Sequence, residues 1–155
     1  MYIKFYEYPI GTVGIAETGG TVCRVVFGNG IPAGFTVKET PPLKRAALQL
    51  TEYFEGKRAA FDLPFACQGT VFQRAVWDAL KAIPYGETRS YREVAASVGN
   101  PRAFRAVGMA NHRNPLAIFI PCHRVVETGG GLGGYAGGLP AKQYLLDLEK
   151  RRPSG

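Results

Sequence analysis

The chain has 155 residues, 46% of them hydrophobic, a net charge of +7 and a pI near 9.5, which suits one compact domain or two small ones with enough core to fold unaided. No apolar run approaches the ~20 residues that span a bilayer, and the start, Met1-Tyr2-Ile3-Lys4, lacks a signal-peptide core, so a cytoplasmic protein is the expectation. Cys23, Cys67 and Cys122 are odd in number and far apart, and His112 and His123 are the only histidines, so neither a disulfide framework nor a four-ligand metal site can be assembled.

In chain order, residues 2–8, 12–16 and 21–27 read as short strands rich in aromatic and β-branched residues, with Gly11 and Gly19-Gly20 as turns, which predicts an antiparallel meander. Cys23 shares a strand face with Val25 and Phe27 and is expected to pack in the core. Pro41-Pro42 opens a helix whose Leu43, Ala46, Ala47, Leu50 and Phe54 make one buried stripe, and Gly56 ends it. Residues 60–65 read as extended. Residues 1–67 thus form a small α+β unit without visible chemistry.

Thr70-Val71-Phe72-Gln73 is a capping box that starts a helix to about Ile83, with Phe72, Val76, Trp77, Leu80 and Ile83 facing inward, and Pro84-Tyr85-Gly86 stops it. Ser90-Tyr91-Arg92-Glu93 is a second capping box, for a helix through Val98 that Gly99 ends. Asn100-Pro101 supplies an N-cap and an N1 proline for a third helix to roughly Asn111. Two capped helices joined by a glycine turn form a helix-turn-helix pattern. The third helix carries small residues, Ala103, Ala106, Gly108 and Ala110, beside Arg102 and Arg105. Such a surface either packs closely on a neighbouring helix or presses into a nucleic-acid groove. Charge supports an anionic partner: residues 1–67 hold seven Lys/Arg against six Asp/Glu, and residues 68–155 hold twelve against six.

An apolar run, Leu116–Ile120, leads into Pro121-Cys122-His123-Arg124-Val125. An imidazole beside a thiol can take its proton and leave a nucleophilic thiolate. Residues 127–138, more than half of them glycine, read as a tight loop or wing over a pocket, since no nucleotide-fold strand and helix flank them. Leu139-Pro140 opens a last helix with Ala141, Tyr144, Leu145 and Leu148 on its buried face. Helical spacing alone places Glu149 toward solvent, and residues 150–153 read as a frayed tail.

Pro121-Cys122-His123-Arg124, with Asn114-Pro115 and Arg105-Ala106-Val107-Gly108 before it and Gly133-Gly134-Tyr135-Ala136-Gly137-Gly138 after it, resembles the O6-alkylguanine-DNA alkyltransferases. The resemblance is strong from about Phe72 to Glu149 and faint before. It implies an α+β fold: a small N-terminal antiparallel sheet plus helix of ribonuclease-H-like shape at residues 1–67, in a supporting role, then a helical winged helix-turn-helix domain at residues 68–155 that meets the DNA minor groove. It implies single-turnover transfer of an alkyl group from O6-alkylguanine, and from O4-methylthymine, in duplex DNA to Cys122, by a monomer needing no cofactor and no metal. The reaction is a displacement at carbon, requiring a thiolate, stabilisation of the departing base and a pocket for a flipped nucleotide.

By the same resemblance, Cys122 is the acceptor, His123 its base through a water, and Glu149 the carboxylate that orients the imidazole. Tyr91 donates a proton to guanine N3, and Asn114 is the hinge between recognition helix and cysteine segment. Arg105 fills the space left by the base. Arg102, Ala103, Ala106, Gly108 and Arg113 contact DNA. Tyr135 walls the pocket, the Val125 carbonyl accepts from the guanine amine, and the backbone N–H of Ala136, where some members carry serine, meets guanine O6. His123 and Glu149 are expected to keep Cys122 reactive below the ~8.5 of an ordinary thiol. Relatives that only bind lesions have tryptophan at the cysteine position, so Cys122 argues against that subclass. Two rivals share some features. A winged-helix regulator would bind sequence-specifically and survive loss of Cys122, whereas a cysteine hydrolase would turn over acyl substrates and ignore DNA.

Overall fold

In the computed structural model, which describes residues 1–151, the β-branched and aromatic runs of the first third become β1 (Tyr2–Tyr8), β2 (Gly11–Thr18) and β3 (Thr21–Phe27). The β2–β3 turn is Gly19-Gly20 with φ of 58° and 85°, left-handed at both positions, as a two-residue hairpin twisted with its strands requires. A short fourth strand, β4 (Thr36–Val37), pairs parallel to β1 in the order β3-β2-β1-β4, so the sheet is mixed and not a pure antiparallel meander.

Cys23 is not a core residue. The register shifts so that Ala16 faces Arg24 while Glu17 faces Val22, leaving Cys23 as the extra residue of a bulge. The bulge turns Val22 inward, 1% exposed, and leaves Cys23 half-buried, because one inserted residue breaks the period of two. The extended segment expected at 60–65 lies along this strand: Val22 N–H donates to Pro64 O and Ala66 N–H to Val22 O, both at 3.0 Å. Helix α1 (Pro41–Phe54) buries the anticipated stripe and also Gln49 and Tyr53. Tyr8 stacks on Phe54 at 5.0 Å and donates through its hydroxyl to Ala47 O. These contacts lie within the unit formed by Met1–Cys67; a second unit begins at Gln68.

In the second unit both capping boxes are formed. Thr70 and Gln73 close the start of α2 (Val71–Lys81), and Ser90 and Glu93 that of α3 (Tyr91–Ser97). Each cap satisfies two otherwise orphaned N–H groups within four residues. Gly99, with φ of 85°, ends α3, and the Asn100 N–H reaches back to Ala95 O. That closing turn continues: Ala103 N–H donates to Asn100 O, so residues 101–103 are a turn and α4 spans Phe104–His112 without a side-chain cap. The third helix therefore starts three residues later than Asn100-Pro101 suggested, and Arg102 and Ala103 precede it. Trp77 pins α2 to α4, its indole N–H donating to Ala110 O at 2.9 Å.

Two-residue strands β5 (Arg89–Ser90) and β6 (Val125–Val126) pair in parallel, tying the start of α3 to the chain just past the cysteine. Between α4 and β6 the apolar run is buried, Ile118 adopts a φ of 75°, and Cys122–Arg124 forms one 3-10 turn. Helix α5 (Leu139–Arg151) buries Ala141, Leu145 and Leu148 as expected. It buries Lys142 and Glu149 as well, while Tyr144 is only half-buried, under the Arg151 guanidinium. Lys150 and Arg151 belong to this helix and are not frayed; Arg152 and Pro153 lie outside the described residues. Among the described residues no helix is long and apolar enough to cross a membrane.

Candidate active site

Cys122 sits at the head of the 3-10 turn, 4% exposed. Two asparagines hold its segment. Asn114 accepts from the Leu116 N–H at 3.0 Å and donates to Ile120 O at 2.8 Å, and its side chain also hydrogen-bonds the thiol. Asn111, which the sequence reading passed over, donates to the Cys122 carbonyl at 3.3 Å from the buried face of α4. The helix-to-cysteine connection is thus fixed by side-chain amides in addition to its backbone hydrogen bonds, such as Ile120 N–H to Leu116 O at 2.8 Å.

His123 is fully buried, with Nε2 2.6 Å from Glu149 Oε2. Glu149, 3% exposed, is the hub of the site. It also accepts from Arg124 Nε at 2.8 Å, from the second Arg124 nitrogen at 3.0 Å, and from the Gly86 N–H at 3.1 Å. Arg124 also donates through its remaining terminal nitrogen to Ile83 O at 2.8 Å. Burial alone would raise the Glu149 pKa, but hydrogen bonds and charge from His123 and Arg124 outweigh it and hold the carboxyl well below the usual range. An ionised Glu149 accepts, so Nε2 of His123 carries the proton and Nδ1 is the basic nitrogen. Sequence alone offered no sign of Arg124's part; its acceptors lie 25 and 41 residues away.

The thiol departs from expectation. Burial pushes Cys122 up to about 11, only partly offset by the Asn114 hydrogen bond and the charge of Lys142. Burial likewise lowers the pKa of His123 against the pull of Glu149. The resting pair is therefore a neutral thiol beside a neutral imidazole, and the expected lowering of the thiol by His123 and Glu149 is corrected: desolvation outweighs the Asn114 hydrogen bond and the Lys142 charge, the two side chains that act to lower it.

Around this pair the structure gathers most of the remaining candidates. Tyr91, first residue of α3, is half-buried, its pKa raised by burial and partly offset by a hydrogen bond from the Gly134 backbone. Its ring passes 3.8 Å from where a Cβ on Gly108 would sit, and its hydroxyl 2.4 Å from a Cβ on Gly133, so glycine is required at 133 for the approach. Tyr135 is buried and Ala136 exposed, in a turn that the Gly138 N–H closes on Tyr135 O. The Val125 carbonyl accepts from Lys142 Nζ at 2.7 Å. Among the described residues no group of three His, Cys, Asp or Glu is placed to hold a metal ion.

The second set of candidates forms an outer face. Arg105, Ala106, Met109, His112 and Arg113 are exposed along α4, with Arg102 exposed just before it, while Val107, Ala110 and Asn111 point inward. Gly108 lies partly covered at the Tyr91 ring. A groove between α4 and the start of α2, lined by Thr70, Phe72, Ala106, Met109 and Arg113, continues this face.

Residues 1–67 match the profile described as the ribonuclease-like domain of 6-O-methylguanine DNA methyltransferase, and residues 71–151 match its DNA-binding domain. The chain belongs to the 6-O-methylguanine DNA methyltransferase family. Methyltransferases of this kind in Methanosarcina barkeri and Bacillus subtilis, both named methylated-DNA–protein-cysteine methyltransferase (constitutive in B. subtilis), bear this out. The M. barkeri protein is 49% identical, covering 97% of this chain and 98% of its own. The B. subtilis protein is 46% identical, covering 96% and 95%. The crystal structure of Mycobacterium tuberculosis OGT in complex with DNA superposes with a TM-score of 0.92 at 41% identity, over 100% of this chain and 96% of that one. The unit that matches the DNA-binding profile therefore holds both the buried Cys-His pair backed by a carboxylate and the exposed basic helix.

Proposed function

We propose that this protein repairs alkylated DNA by moving an alkyl group from O6 of guanine, or O4 of thymine, in duplex DNA onto the sulfur of Cys122, once per molecule. The observation that carries this reading is the buried Cys122–His123–Glu149–Arg124 cluster in a chain of the methyltransferase family. His123 Nδ1, through a water, takes the thiol proton. The sulfur then attacks the alkyl carbon, the C–O bond breaks, and its electron pair passes into the base. Tyr91 donates to guanine N3, so the proton gained by His123 balances the one given by Tyr91. The product is a thioether, which has no good leaving group and ends the protein's working life.

In this reading Arg102, Ala103, Arg105, Ala106, Gly108 and Arg113 form the DNA-contacting face, with Arg105 in the space the base leaves. Asn114 joins that face to the cysteine. Tyr135 walls the pocket, the Val125 carbonyl accepts from the guanine amine, and the Ala136 N–H meets O6. Residues 68–155 do this work and residues 1–67 support them. The protein acts as a monomer in the cytoplasm, a compartment that keeps a thiol acceptor reduced. A regulator without transfer and a cysteine hydrolase are not favoured by the family match.

The test is intact mass after incubation with a duplex containing O6-methylguanine. The expected result is one methyl group per chain, on the peptide holding Cys122. Sustained turnover at substoichiometric protein, or transfer by Cys122→Ala, overturns the reading.

A further inference from the structure

Lys142 has no exposed surface, although it lies on a helix whose charged neighbours Asp147 and Lys150 face solvent. Its ammonium has three donors, and each meets a carbonyl oxygen: Val125 at 2.7 Å, Gly134 at 3.2 Å, and Leu132. One acceptor is on β6, three residues past Cys122, and two are in the wing. A methionine would fill the same space without the cost of burying a charge, so packing does not account for a lysine here. The acceptors supply the reason. Residues 127–138 contain seven glycines, and few side chains are available to anchor such a loop. A buried ammonium that collects main-chain carbonyls can fix it without needing side chains. Gly134 is held twice, its carbonyl by Lys142 and its backbone also hydrogen-bonded to the Tyr91 phenol. The charge of Lys142 also acts on the Cys122 thiol, favouring its ionised form.

We propose that Lys142 is a positioning residue of the transfer reaction: by gathering the Val125, Leu132 and Gly134 carbonyls it fixes the wing against the cysteine segment and so sets where the Tyr91 hydroxyl and the Val125 carbonyl stand. The proposal rests on the alkyl-transfer reading. Lys142 touches neither substrate nor reacting atoms; it acts chiefly by holding Tyr91 and the wing, its charge adding a smaller effect at the thiol.

The experiment measures the first-order rate of alkyl transfer at saturating substrate for four proteins: parent, Lys142→Met, Tyr91→Phe and the double variant. The substrates are methylated duplex and O6-benzylguanine, and folding and duplex affinity are measured alongside. Lys142→Met keeps the stem and removes the donors. The expected result is a folded protein with duplex affinity within roughly 2-fold of the parent and transfer slowed roughly 10-fold or more on both substrates. In the Tyr91→Phe background the same change should cost only about 2-fold, because both residues act on one step. A folded Lys142→Met that transfers as fast as the parent overturns the proposal. So does a loss of equal size in both backgrounds, which would mean that Lys142 does not act through Tyr91. If Lys142→Met fails to fold, Lys142→Gln, which keeps two donors on a shorter stem, replaces it under the same criteria; failure of both makes Lys142 a folding residue and overturns the proposal. A parent protein that gains no alkyl mass overturns the transfer reading itself, a failure visible before any substitution is made.

Discussion

A thiol held at about 11 is almost wholly protonated near neutrality, so Cys122 has to lose its proton during the reaction rather than before it. His123 is the base available to do this, and Glu149, kept ionised by Arg124, stabilises the imidazolium that forms. The alkylation rate of Cys122 by iodoacetamide, followed by mass against pH, is therefore expected to climb from pH 8.5 towards about 11 instead of reaching a plateau below it. A plateau below 8.5 would show that the thiolate is stabilised by something other than the groups described. His123→Ala should slow transfer from methylated duplex about 100-fold, the lower end of a general-base contribution. Gly133 makes a separate prediction. A methyl group there would stand 2.4 Å from the Tyr91 hydroxyl on a backbone with φ of 72°. Gly133→Ala should displace the phenol and slow transfer at least roughly 10-fold, about 1.4 kcal/mol of barrier, while duplex affinity measured by fluorescence anisotropy stays near the parent's. Unchanged transfer by the folded variant would remove Tyr91 from the step.

Helix α4 serves two surfaces at once. Its inner face, Val107, Ala110 and Asn111, packs on α2 and carries the cysteine carbonyl, and its outer face offers Arg105, Met109 and Arg113. Small residues at 106, 108 and 110 serve both, by letting α2 and the Tyr91 ring approach on one side and leaving a flat basic surface on the other. Arg105→Ala is expected to slow repair of methylated duplex far more than reaction with O6-benzylguanine, because only the duplex demands base extrusion. Equal losses on the two substrates would assign Arg105 to the pocket or to stability instead. The caps are a matter of stability: Ser90→Ala removes an acceptor for the Glu93 N–H and should cost about 1 kcal/mol in urea unfolding, with Tyr91, the first residue of that helix, losing its fixed position.

For the molecule as a whole, Glu149 and His123 couple stability to pH. Glu149 ionises in the fold well below its usual range, and His123 is kept neutral by burial, so the unfolded chain binds more protons than the native one as pH falls. Both depressed values put the stability contribution above the unfolded pKa. That of His123 is lost first, as pH falls below ~6.5, and that of Glu149 from ~4.3 downward. Thermal melts from pH 7 to 3 should therefore show a falling Tm, and Glu149→Gln should be less stable at pH 7 with a flatter acid limb. An acid limb equally steep in that variant would place the protons elsewhere. Charge at this scale is uneven, with the excess of Lys/Arg in residues 68–155, so duplex affinity should fall with added salt as phosphate counterions are released.

Features decided within a few residues were legible from sequence. The two capping boxes, the glycine turns and the apolar stripe of α1 all formed, because a cap or turn is settled by groups at most four positions apart. Cys122 and His123 stood out as a thiol-imidazole pair in the sequence, whereas Tyr91 was singled out by the family resemblance alone. What failed did so mostly where a partner lay far along the chain; the start of α4 is the exception, settled by a local turn. The bulge that displaces Cys23 depends on β2 pairing. The start of α4 depends on how α3 is closed. Glu149, which helical spacing turned to solvent and only the resemblance promoted, is buried because Gly86, His123 and Arg124 converge on it from as far as 63 residues away. Asn111, Arg124 and Lys142 carried no local signal. A polar side chain reads as a surface residue until its buried partners are known, and burial of charge is tolerated only where the fold supplies them. The sequence by itself determined the helices, caps and turns that local groups settle, and singled out Cys122; the tertiary structure alone decided which polar groups are buried around it, because their partners come from distant parts of the chain.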